Sequence, residues 1–116
     1  MQVITKTAKI PRVNQTAKSE LEHFPEPVYE KNATLYSIMA NPKRLHMLNL
    51  LAQKEMSVEE LSKEVGARMA NVSQHLAVLR ANRFVQSRRE GTSIYYRISD
   101  VRIVEPCRIF KDLHHL

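Results

Sequence analysis

A mainly α domain closed by a β-hairpin is the architecture this sequence predicts, and three observations carry it. Residues 68–82, RMANVSQHLAVLRAN, place Val72, Leu76 and Leu79 at i, i+4 and i+7, on one face of an amphipathic helix. Just before it, Ser57-Val58-Glu59-Glu60 forms a capping box that opens a shorter helix, and Gly66 stands where that helix must stop. From Phe84 onward the period drops to two, with Glu90-Gly91 as the turn between two alternating runs. Two helices joined by a tight glycine-containing turn, followed at once by a basic-tipped hairpin, make a winged helix-turn-helix. The expected whole is about five helices plus a two-stranded β-hairpin wing.

Composition fits one domain. The chain has 116 residues, 43% of them hydrophobic, with no Trp, two Gly and 6% aromatics, which favours helices over sheets. No apolar run approaches the roughly 18 residues of a membrane span, and the N-terminus lacks the apolar centre of a signal peptide. A single cysteine builds no internal disulfide framework, so the expected location is the cytoplasm.

In chain order, residues 1–27 carry Pro11, Pro25 and Pro27, mixed charge and no clean period. A flexible N-terminal tail is expected there, with a short helical turn near residues 19–23, and a domain for DNA binding and dimerisation over residues 28–116. Residues 28–40 form the first helix, with Leu35 and Met39 paired at i, i+4 and Tyr36 beside them. Asn41 is an N-cap and Pro42 a first helical residue, so a second helix runs to about Gln53. Leu45, Leu48 and Leu51, with Met47 and Leu50, give it a wide apolar face. The capped third helix ends near Val65, and residues 68–82 follow as the fourth.

In the hairpin, Phe84, Gln86 and Arg88 alternate with Val85, Ser87 and Arg89, and Ile94, Tyr96 and Ile98 with Ser93, Tyr95 and Arg97. Residues 100–116 form the last helix. A proline inside a helix costs about 3 kcal/mol, so Pro106 places the regular helix from near Glu105, with a turn before it. Ile103, Phe110 and Leu113, with Cys107, give this helix an apolar side. Spare apolar surface on the terminal helices of so small a domain implies a homodimer through Leu35, Met39, Ile103 and Phe110. Met39, Met47, Met56 and Met69 fall at helical positions as core filler.

Charge points to the partner. Between Ala67 and Arg97 stand Arg68, Arg80, Arg83, Arg88, Arg89 and Arg97 against Glu90 alone, nearly the whole formal net charge of +6. Clustered arginine is the footprint of a nucleic-acid binder. On the fourth helix the face opposite the apolar one carries Ala70, Gln74, Ala77 and Ala81. That surface is smooth enough to press into a DNA major groove, with Gln74 offering the paired donor and acceptor that suit adenine. Arg68 and Asn71 at the head of the helix are expected contacts with it, and Arg88, Arg89 and Thr92 at the wing tip are placed to reach a backbone or minor groove.

Other chemistry is sparse. His75 lies on the flank of the fourth helix, where it either packs or hydrogen-bonds within the helix-turn-helix or touches a phosphate. His114 and His115 are adjacent and share no helical face. Cys107 is either a small apolar residue at the dimer interface or a redox-sensitive thiol switch. No catalytic constellation and no Gly-rich phosphate loop is present, so no enzyme, no cofactor and no metal site is expected. The competing class is a winged helix used as a protein-interaction module, which calls for exposed apolar residues on the fourth helix and a neutral wing. RNA binding has only Tyr95 and Tyr96 to stack bases.

Four motifs in order carry a resemblance. Ala40-Asn41-Pro42-Lys43-Arg44-Leu45, Ser57-Val58-x-x-Leu61, Val72-Ser73-Gln74-His75-Leu76-x-x-Leu79-Arg80 and Arg88-Arg89-x-Gly91-x-x-x-Tyr95-Tyr96 resemble the ArsR/SmtB family of bacterial winged-helix repressors over residues 29–113. The resemblance implies a homodimer on an imperfect inverted repeat of duplex DNA, released by an inducer that the sequence does not identify. It implies Ser73 and Gln74 as DNA contacts, with Arg88 and Arg89 in the wing. The chain also departs from the family pattern. Where family members that sense arsenic or cadmium often carry Cys-x-Cys, this chain has Glu55-Met56-Ser57-Val58-Glu59. Where zinc sensors carry Asp-x-His, Asp100-Val101-Arg102 ends in Arg, and Asp112-Leu113-His114 lacks a second half. Arg83 stands where the family usually has Gly, so Asn82 is expected to take the left-handed conformation that closes the helix.

Overall fold

Prolines and short polar side chains set the helix starts. In the computed structural model, which describes residues 23–116, α1 (Glu26–Met39) has Pro27 in its first turn. Proline is tolerated there, because that N–H has no helical partner to lose. The helix therefore begins two residues earlier than expected and takes in the end of the expected tail; the tail itself, residues 1–22, lies outside the described residues. The α2 helix (Pro42–Leu51) is capped by Asn41, whose Oδ1 accepts from the Arg44 amide at 3.1 Å.

Both halves of the expected capping box are present on α3 (Val58–Val65). The Glu60 amide donates to Ser57 Oγ at 3.2 Å, and the Ser57 amide to Glu60 Oε1 at 3.1 Å. Gly66 ends the helix at φ +64°, a conformation without a Cβ penalty only for glycine. Helix α4 (Met69–Ala81) begins after two further residues, Ala67 and Arg68.

The end of α4 corrects one expectation. Asn82 stays at φ −100°, and Arg83 takes the left-handed conformation at φ +63°. The Phe84 amide reaches the Leu79 carbonyl at 2.9 Å and the Arg83 amide the Arg80 carbonyl at 3.0 Å, the paired bonds of a Schellman motif. The Asn82 amide group instead donates to the Val78 carbonyl at 2.8 Å.

The wing also differs from expectation. β2 (Val85–Glu90) and β3 (Ser93–Ile98) pair from Val85↔Ile98 to Glu90↔Ser93, so the two-residue turn is Gly91-Thr92 rather than Glu90-Gly91. A third strand, β1 (Met56–Ser57), pairs with β3 through Met56↔Tyr96, giving a three-stranded sheet in the order β1-β3-β2. Two residues are too few to show a period of two, so this strand left no signal in the sequence.

Met47, Leu48 and Leu51 of α2, Leu61 and Val65 of α3, and Val72, Leu76 and Leu79 of α4 form the core, closed on the sheet side by Met56, Phe84, Val85 and Ile98. Met69 is not core filler. It is 47% exposed, because the first residue of α4 projects past the packed layer toward the wing. A 3-10 turn (Val101–Val104) precedes α5 (Glu105–Leu113), which has Pro106 in its first turn as expected. Neither α1 nor α5 has a fully buried residue. Phe110 is 58% and Leu113 66% exposed. Among the described residues, no helix is long and apolar enough to cross a membrane.

Candidate nucleic-acid interface

The amphipathic pattern of α4 survives folding intact. Val72, Leu76 and Leu79 are fully buried, while Ala70, Gln74, Ala77 and Ala81 are exposed, as are Arg68, Asn71 and Ser73. With its inner face locked into the core, the helix has no freedom to roll, so the Ala/Gln face is a rigid outer surface.

The turn before α4 is fixed by two side chains. Lys43 Nζ donates to the Val65 carbonyl at 2.6 Å, meeting an otherwise free C-terminal carbonyl of α3. Ser62 Oγ donates to the Ala67 carbonyl across the turn. Arg44 links two further elements: Nη1 donates to the Ile38 carbonyl near the end of α1 at 3.0 Å, and Nε donates to His75 Nδ1 at 3.2 Å. His75 is half-buried, and burial first, then the Arg44 charge, pushes its pKa below the usual value. One imidazole nitrogen is therefore used inside the domain.

In the wing, Arg88, Arg89 and Thr92 are exposed, but the two arginines point to opposite faces. Arg88 stands opposite Tyr95, and Arg89 opposite Ile94. Arg88 Nε donates to both carboxylate oxygens of Glu55, at 2.9 and 3.1 Å, and Nη1 donates to Glu90 Oε2 at 2.7 Å. Its guanidinium carbon lies 4.9 Å from the Tyr95 ring centroid. The Arg88 hydrogen bonds hold the Glu55 carboxyl below the ordinary range, and those carboxylates raise the Arg88 pKa in turn. Arg89 makes no ion pair among the described residues.

The wing is thus less positive than its stretch of sequence. Glu55, 33 residues before Arg88, is the wing partner that the sequence reading does not include. No local pattern marks it, since the short β1 pairing brings it beside the hairpin.

Away from the outer face of α4 and the wing tip, Leu35, Met39 and Ile103 come together with Phe84 and Pro106 around a cavity of about 230 Å³. Phe110, grouped with them in the sequence, is not among its lining residues and lies exposed on α5. Cys107 is half-buried and faces α2, where Asn49 Nδ2 lies 3.6 Å from its Sγ. Asp100 is occupied by Arg102, accepting from its amide at 2.9 Å and from its Nη2 at 2.6 Å. These bonds hold the Asp100 carboxyl down to about 2. Among the described residues, no three His, Cys, Asp or Glu side chains group closely enough to hold a metal ion.

Comparison with known proteins agrees with this geometry. Residues 41–87 match the family described as "Bacterial regulatory protein, arsR family". The transcriptional regulator KmtR of Mycobacterium tuberculosis is 40% identical over 83 residues, 68% of this chain but only 64% of KmtR. The biofilm growth-associated repressor of Agrobacterium fabrum is 38% identical over 93 residues, 74% of this chain and 80% of that protein. Among solved structures, a homodimeric winged helix-turn-helix DNA-binding domain from Mycobacterium bovis superposes with a TM-score of 0.68 at 33% identity, covering 76% of this chain and 84% of that one. With its helix-turn-helix and wing in this arrangement and these relatives beside it, the chain belongs to the ArsR family of bacterial regulatory proteins and is a winged-helix transcriptional regulator.

Proposed function

We propose that this protein is a homodimeric repressor that acts in the cytoplasm, binds an inverted-repeat operator and is released by an inducer or a redox signal. One observation carries the reading: a rigid recognition helix presents Ala70, Gln74, Ala77 and Ala81 outward, beside a wing whose exposed Arg89 makes no ion pair among the described residues. In the proposal Gln74 reads an adenine edge, while Ser73, Asn71 and Arg68 approach the groove around it. Arg89 and Thr92, with Arg88, contact the backbone beside the groove. The second copy packs on the apolar sides of α1 and α5, through Leu35, Met39, Ile103 and Phe110. The homodimeric relative supports a second copy, and the exposed apolar surface of α5 supports its placement there.

Footprinting on the promoter region upstream of its own coding sequence tests the proposal. Protection of two half-sites related by a twofold axis, lost as salt rises, is the expected result. Uniform, sequence-independent coating of the DNA counts against it.

A further inference from the structure

We infer that Glu55 stands in for a DNA phosphate: it holds Arg88 against the wing in the free protein and yields it to the backbone when DNA binds. The inference rests on the DNA-binding reading above and concerns the strength of that binding.

The geometry comes first. A carboxylate and a phosphate offer an arginine the same thing, two oxygens spaced to meet its N–H donors. Glu55 presents both its oxygens to Arg88 Nε, and Glu90 takes only Nη1. Arg88 also lies within the last three residues of β2 before the Gly91-Thr92 turn, the part of a wing that approaches DNA. A phosphate arriving there meets a guanidinium already claimed by an acid.

Solvent exposure then decides whether the claim is permanent. The Arg88 and Glu55 side chains are 48% and 34% exposed. Ion pairs this wet are weak and exchange readily. A duplex concentrates negative charge well beyond a single carboxylate, so exchange favours the phosphate. The Tyr95 ring beneath the guanidinium keeps Arg88 aimed across the sheet in either state. Arg89, on the other face, needs no such exchange. The two wing arginines therefore differ: Arg89 engages phosphate directly, and Arg88 does so against competition from Glu55.

The consequence is a weakened grip on DNA of any sequence. Glu55→Gln should tighten binding to both the operator and a random duplex by about twofold to fivefold. The dependence of log affinity on log salt should keep nearly the same slope, because Arg88 meets the phosphate in both proteins and only the competing carboxylate is gone. The measurement is a salt series of fluorescence-anisotropy titrations on both duplexes. Glu64→Gln, an exposed position on α3 that makes no ion pair with Arg88, makes the same change in net charge and serves as the control. Arg88→Ala in the Glu55→Gln background should erase the gain. A gain no larger than that of Glu64→Gln, or one that survives Arg88→Ala, overturns the inference. If the wild-type protein binds no duplex at any salt concentration, the DNA-binding reading itself fails, and the inference fails with it.

Discussion

Arg44 Nε lies 3.2 Å from His75 Nδ1 while its Nη1 lies 3.0 Å from the Ile38 carbonyl, so one guanidinium ties the end of α1 to the recognition helix. The bond requires a neutral imidazole, because Nδ1 must accept. Protonation removes the acceptor and sets two cations face to face.

That requirement gives stability a pH dependence of known sign. The folded-state pKa of His75 is below its usual 6.5, so the unfolded chain binds the proton more readily. The contribution from His75 is complete above the usual value and is lost as pH falls below it. Urea midpoints measured near pH 7.5 and about pH 5.5 should fall at the lower pH. His75→Gln, which keeps an acceptor without titrating, should flatten the difference. An unchanged difference in the variant would assign the effect to other groups.

Arg83 occupies a left-handed backbone position that costs an L-residue about 1–2 kcal/mol. Arg83→Gly removes that cost but adds chain entropy to the unfolded state. The net expectation is a gain of about 0.5–1 kcal/mol, seen as a rise of a few degrees in thermal midpoint. Arg83→Ala keeps the strained φ and should show no comparable gain. Equal gains from both variants would show that the side chain, not the backbone, is at fault.

Gln74 and Arg89 should fail in different ways. Gln74→Ala is expected to cost about 1–3 kcal/mol on the operator and little on random duplex, since base-edge bonds carry sequence information. Arg89→Ala should weaken both equally and reduce the salt slope by about 0.9. Equal losses for Gln74→Ala on the two duplexes would remove its reading role.

Phe110 exposes more than half its surface on a helix that has no fully buried residue. Phe110→Glu should give monomers in sedimentation velocity and abolish tight operator binding. A twofold dimer spaces its recognition helices about 34–36 Å apart, and one subunit cannot span both half-sites. A monomeric variant that still protects the full site contradicts the interface.

Cys107 touches α2 through Asn49, so a bulky or charged sulfur there pushes on a central core helix. Oxidant should release the wild-type protein from DNA and leave Cys107→Ser bound. Release of both to the same extent places the sensitivity elsewhere.

Features that act within one helical turn were legible in the sequence. Asn41 and Ser57 cap helices because their side chains reach amides three residues on. Gly66 ends a helix by its own φ, and Pro106 sits in a first turn because it fits nowhere later in a helix. The buried triplet Val72, Leu76 and Leu79 and the smooth face opposite follow from a period of 3.6 residues. Tertiary structure decided the rest. Met56 finds Tyr96, Lys43 finds the Val65 carbonyl, Arg44 finds His75 and Glu55 finds Arg88. These partners are 22 to 40 residues apart, so no periodicity records them. Arg83 rather than Asn82 turns left-handed because the Leu79 carbonyl bonds the Phe84 amide as Phe84 enters the core. A residue's own chemistry determines what it offers to its neighbours in the chain, and only the folded path determines which distant group takes that offer.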